Sequence, residues 1–145
     1  MSGVHLAARR TAPAGGHGLD ALTLSGPPLP GAACARGRTE LPADTWFGGA
    51  SSDREPARSA AYDAARRVCA TCSAAAACLD RAFTHGERYG MFGGLHENER
   101  RSALRTRSIG VAHLLAEGLA ALEEYGADTG PLIDVIARHR AQAAA

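Results

Sequence analysis

Four cysteines constrain this 145-residue chain more than any other feature: Cys34 stands alone, and Cys69, Cys72 and Cys78 fall close together far downstream. A Cys-x-x-Cys bite, Cys69-Ala70-Thr71-Cys72, lets two thiolates converge on one metal ion or on two corners of a cluster. Cys78 lies six residues past Cys72, or about 600° around an ideal helix, so the two cannot share a face of one unbroken helix. The chain must turn between them, and Ser73 is the expected place. Cys34 then closes the set from a distant segment, which would make metal binding part of folding.

Spacing alone leaves three readings open. One is a four-thiolate [4Fe–4S] or [2Fe–2S] cluster. Another is a structural zinc site, although such sites commonly use two short Cys-x-x-Cys knuckles and this chain has one. The third is a thiol–disulfide pair at Cys69 and Cys72, without the βαβ context a thioredoxin-like site requires.

Composition explains why a staple is needed. Hydrophobic residues make up 46% of the chain, but many are alanines, and there is one Trp with three Phe and three Tyr. A core built from so few large side chains is small, and small cores lean on metals or disulfides. The formal net charge is +1, so the chain as a whole is not a polycation, and all 16 basic residues are arginines. Any contact to phosphate or carboxylate is therefore made by a guanidinium fork. The first residues lack an apolar run, and no stretch of about 18 uncharged apolar residues occurs, so neither a signal peptide nor a membrane span is expected. The expected location is cytoplasmic, where reduced thiols favour metal or redox chemistry over structural disulfides.

The pattern predicts an all-α fold: a small helical domain around the cysteines, residues 34–107, with a flexible Gly/Pro/Ala-rich leader over 1–33 and extra C-terminal helices over 108–145. A helix is expected to start near Pro56, capped by Ser52 or Asp53, and to deliver Cys69 at its end. Ser73 would cap a second helix carrying Cys78, Leu79, Ala82 and Phe83. Residues 86–94 form a glycine-punctuated turn, and a third helix is expected over Glu97–Arg107. Apolar stripes at 111–122 and 132–136 predict two more helices, with a frayed end at Ala141–Ala145.

Trp46, Phe47 and Phe92 read either as core that shields the cysteines or as an apolar docking patch with Gly90, Gly93 and Gly94. Arg100, Arg101, Arg105 and Arg107 read either as a solvated helix face, with Glu97–Arg101 as an i,i+4 pair, or as phosphate contacts to DNA. Arg36-Gly37-Arg38 lacks the proline of a minor-groove hook. The six histidines show no ligand spacing, and His85 and His96 merely flank the cysteine region. No nucleophile–base arrangement, phosphate-binding glycine loop or paired carboxylates suggest an enzyme.

Taken together, Cys34…Cys69-x-x-Cys72-x5-Cys78, Asp44-Thr45-Trp46-Phe47 and Tyr89-Gly90-Met91-Phe92-Gly93-Gly94 through Arg101 resemble the WhiB-like family of actinobacterial transcription factors. Phe92 stands where the family usually has tryptophan, and Ser73 where proline commonly follows the second cysteine. The resemblance implies a redox-responsive regulator with a [4Fe–4S] cluster on the four cysteines, sensitive to oxygen or nitric oxide. It further implies docking of the aromatic–glycine patch on the promoter-binding C-terminal domain of the primary sigma factor, with promoter DNA as the second partner. Thiol–disulfide reductase activity of the cluster-free form is the alternative that the resemblance brings with it.

Overall fold

The structure is a computed structural model and describes residues 29–35, 37–49, 55–105 and 109–144. Among these residues the fold is all-helical: a short 3-10 turn, Ala43–Phe47, precedes five α-helices. They are α1 (Glu55–Ala70), α2 (Ala75–His85), α3 (Glu97–Leu104), α4 (Ile109–Glu124) and α5 (Gly130–Ala144). The only extended pairing among the described residues is an isolated bridge between Phe92 and Leu95.

Local chemistry accounts for most of the boundaries. At the start of α1, Glu55 accepts hydrogen bonds from Arg58 and Ser59, with Pro56 in the first turn; Ser52 and Asp53, the expected caps, lie outside the described residues. At the start of α2 the expected Ser73 cap is not made. Ala74 flanks the helix without a side-chain cap bond, and Ser73 instead sits under Gly31, whose Cβ, if present, would lie 2.7 Å from its hydroxyl. Gly86, at φ +65°, ends α2 in the left-handed conformation that glycine adopts without a Cβ clash. Glu99 accepts the His96 backbone N–H at 2.9 Å at the start of α3. That helix stops at Leu104, short of the expected Arg107, because Arg105 is already extended at φ −100°, ψ 119°. The last helix continues to Ala144 where fraying was expected; alanine's helix propensity is enough to carry the turn.

Two apolar clusters hold these elements together. Leu79, Leu95 and Ala103 pack with Leu115, Leu122, Leu132, Val135 and Ile136, so α4 and α5 share a core with the cysteine-bearing half. Trp46, Tyr62, Ala65 and Met91 form the second cluster, against which Cys34, Phe47 and Cys69 are packed. A buried ion pair ties α1 to α3: Arg66 donates to both oxygens of Glu99, at 2.7 and 2.8 Å. Gly118 of α4 packs directly on that carboxylate; a Cβ there would fall 2.7 Å from the Glu99 carboxyl carbon.

Candidate metal centre

Each cysteine reaches the site from a different local structure. Cys69 is the penultimate residue of α1, and the chain then folds back on itself, with the Thr71 N–H on Val68 O and the Cys72 N–H on Cys69 O, both at 3.0 Å. This is the turn that the six-residue gap to Cys78 demands. Cys78 follows one turn into α2, its N–H bonded to Ala74 O at 2.8 Å. Cys34 arrives on the segment 29–35, which docks on the Cys-x-x-Cys turn through Ala33 N–H to Cys72 Sγ at 3.3 Å.

The fold brings the four sulfurs into one neighbourhood: Cys69 feels the charge of Cys78, Cys34 and Cys72, Cys78 that of Cys34 and Cys72, and Cys34 that of Cys72. None is in a disulfide. Burial pushes the Cys69 and Cys78 thiols up to about 12, reinforced by the neighbouring sulfurs, and pushes Cys34 up as well. A buried thiol held this far from ionisation is a poor nucleophile at neutral pH. Among the described residues no three Cys, His, Asp or Glu side chains are set at the spacing of a single metal ion.

Its donor set nevertheless suits a sulfur-ligated, anionic group. The four sulfurs are all soft donors, and N–H groups lie beside three of them. Besides the Ala33 bond, the Gly93 backbone N–H lies close enough to Cys78 to favour its thiolate. The Trp46 indole N–H is buried with no hydrogen-bond partner, and lies close enough to Cys69 to favour its thiolate. Such donors lower the energy of thiolates and of a cluster's charge. A cavity of about 270 Å³ opens beside Cys69 and Cys72, walled on its far side by Gly93, Leu122, Asp128 and Leu132.

The glycine turn lies over α2. Gly93, at φ +65°, approaches so closely that a Cβ would meet Ala75 O at 2.7 Å and Leu79 Cβ at 2.8 Å. Gly94, at φ +90°, abuts Leu122 of α4, and Gly90 abuts the Phe47 ring. The aromatic residues are mostly interior: Trp46 is 7% and Phe92 3% exposed, while Phe47 is half-buried and meets Phe92 edge-on at 6.5 Å. The exposed aromatic of this region is Tyr89, at 67%.

The four arginines do not act as one group. Arg101 and Arg105 are exposed, and Arg107 lies outside the described residues. Arg100 turns inward, 4% exposed, with its guanidinium donating to backbone carbonyls of the glycine turn. The expected Glu97–Arg101 pair is not formed: Arg101 donates to Asn98, and Glu97 accepts the Tyr62 hydroxyl at 2.8 Å. The inward Arg100 and the Arg66–Glu99 pair are features that the sequence pattern did not separate from an ordinary charged face. The only available signal was the unusually small residue Gly118 opposite them.

Comparison with known proteins follows the same residues. The family model described as Transcription factor WhiB matches residues 31–103, half of the chain. Transcriptional regulator WhiB2 of Mycolicibacterium smegmatis is 49% identical over 41 residues, 28% of this chain and 32% of that protein. Transcriptional regulator WhiB2 of Bifidobacterium longum is 51% identical over 37 residues, 26% of this chain and 37% of the relative. Transcriptional regulator WhiB of Streptomyces coelicolor is 46% identical over 37 residues, 26% and 42% of the two chains. In each case this chain spans less than half of the relative's length. No solved structure matches.

Proposed function

The chain belongs to the WhiB family of transcription factors, and from that premise we propose that it is a cytoplasmic, redox-responsive regulator that carries a [4Fe–4S] cluster on Cys34, Cys69, Cys72 and Cys78. The observation that carries the reading is the meeting of four partly buried cysteines from three separate segments, with backbone and indole N–H groups beside them. Once bound, the cluster would supply one-electron chemistry and an iron–sulfide core open to attack by oxygen or nitric oxide. The chain's own residues do the rest. Ala33 and Gly93 lie beside Cys72 and Cys78, and Trp46, Met91 and Tyr62 pack as an apolar wall against Cys34 and Cys69.

Docking on the C-terminal domain of the primary sigma factor, with promoter DNA alongside, is the partner reading. Trp46, Phe92 and the glycines act in it from beneath, by fixing the surface that half-buried Phe47 and exposed Tyr89 present. Of the arginines assigned to phosphate, Arg101 and Arg105 are exposed, as such a contact requires, and Arg107 lies outside the described residues. Among the described residues no helix is long and apolar enough to cross a membrane.

Anaerobic purification tests the cofactor directly. The expected result is a coloured protein with about four iron and four sulfide per chain, the stoichiometry of such a cluster, and loss of colour in Cys34→Ser. A colourless protein with stoichiometric zinc and no sulfide would overturn the reading.

A further inference from the structure

Arg100 is the anomaly of this site. Burying a guanidinium is costly unless hydrogen bonds and an opposite charge compensate it. The hydrogen bonds are present: its Nη1 donates to Gly90 O at 2.5 Å and Leu95 O at 2.7 Å, and its Nη2 to Glu87 O at 3.2 Å and Tyr89 O at 3.3 Å. Its guanidinium carbon also lies 5.0 Å from the centre of the Phe92 ring. Four carbonyls of one turn are thus gathered on a single cation. The opposite charge is less complete, because among the described residues Arg100 makes no ion pair. The groups of opposite sign that act on it are first Glu97, which is already occupied by Tyr62 and the Gly90 N–H, and then the Cys78 sulfur.

We propose that Arg100 is the positioning residue of the sulfur centre, its buried guanidinium stapling the Gly90–Leu95 turn over α2 and supplying the positive charge that balances the ligating thiolates. The proposal rests on the iron–sulfur reading above. Mechanically, Arg100 holds both ends of the turn by Gly90 O and Leu95 O, and so fixes Gly93 against Ala75 and Leu79, the residues of α2 that flank Cys78. Electrostatically, thiols without metal are neutral and leave the cation under-compensated, whereas four thiolates around iron make the centre anionic. A fixed positive charge beside an anionic cluster favours its reduced form, since net charge and hydrogen bonding at the sulfurs set the potential. The sequence position hides this role, because Arg100 and Arg101 look alike on a helix whose exposed arginines are ordinary.

The experiment compares the full-length wild type, Arg100→Lys and Arg100→Gln, each reconstituted anaerobically. Iron and sulfide are assayed, and the one-electron midpoint potential is read by spectroelectrochemistry against dithionite. Thermal unfolding of the metal-free forms is recorded beside it. Arg100→Gln is expected to shift the potential downwards, and Arg100→Lys, which keeps the charge but loses the fork, to stay near wild type while melting earlier. An unshifted potential in Arg100→Gln overturns the proposal, as does an equal shift in both variants. Should Arg100→Gln retain no iron, retention by Arg100→Lys supports the charge and equal loss in both overturns it. A colourless, zinc-bound wild type removes the iron–sulfur reading and this proposal together, whereas a coloured wild type with an unshifted Arg100→Gln removes only the role of Arg100.

Discussion

At His96, burial and neighbouring charge pull in opposite directions. Burial lowers the imidazole below its ordinary value of 6.5, the Glu99 carboxylate 3.3 Å away resists that, and the Arg66 charge reinforces it. The net direction is down, so the folded chain binds a proton at His96 less readily than the unfolded chain does. Stability from this group is therefore full above about pH 6.5 and falls as pH drops through that value towards the lower folded one. Urea midpoints measured from pH 7.5 down to 5.0 should decline, and His96→Gln should flatten that slope; an unchanged slope in the variant would show that another group carries the dependence. The ring stacks on Tyr62 at 5.3 Å, so the substitution also has a pH-independent cost of roughly 1 kcal/mol. None of this was legible in the sequence, where His96 was one of six histidines without a pattern. Its burial comes from α1 and α3 meeting, a tertiary event.

Among the elements, α4 and α5 carry more than their position at the end of the chain suggests. Leu122 is 1% exposed and fills the space above Gly94. Leu122→Ala should cost about 2–5 kcal/mol, the range for a buried leucine whose void cannot collapse, because the turn beneath it is held by Arg100. Chemical denaturation checks the value; a loss below about 1 kcal/mol would mean that the helix pair packs loosely. Helical periodicity revealed both elements, and the glycine and proline near their ends revealed the break. What periodicity could not reveal is the surface they cover, since an apolar stripe fits a partner protein as well as its own chain. Asp80 marks the answer: on α2, two residues past Cys78, it meets His139 of α5 at 2.7 Å.

Over the whole molecule, the two apolar clusters differ in their dependence on the sulfurs. The cluster around Leu79, Leu95 and Leu122 is closed by leucines, valine and isoleucine, whereas the one around Trp46 and Tyr62 has Cys34 and Cys69 in its wall. Removing the metal with a chelator should therefore open the molecule unevenly. Hydrogen exchange should quicken in the 3-10 turn and the segment bearing Cys34, while α4 and α5 remain protected; a uniform change across all helices would contradict this division. The sequence announced the sulfur set and the helical class plainly, because cysteine spacing and apolar period are local. It was silent on which aromatics and arginines face inward, because that depends on contacts between residues far apart along the chain.

The meeting of Gly94 with Leu122 has a consequence for descent. A bare backbone at position 94 leaves no room for a side chain there while the branched Leu122 stays, so the glycine turn and the last helices are inherited as a matched set. Grafting the last two helices onto a relative would succeed only where the recipient brings the same hollow to receive them.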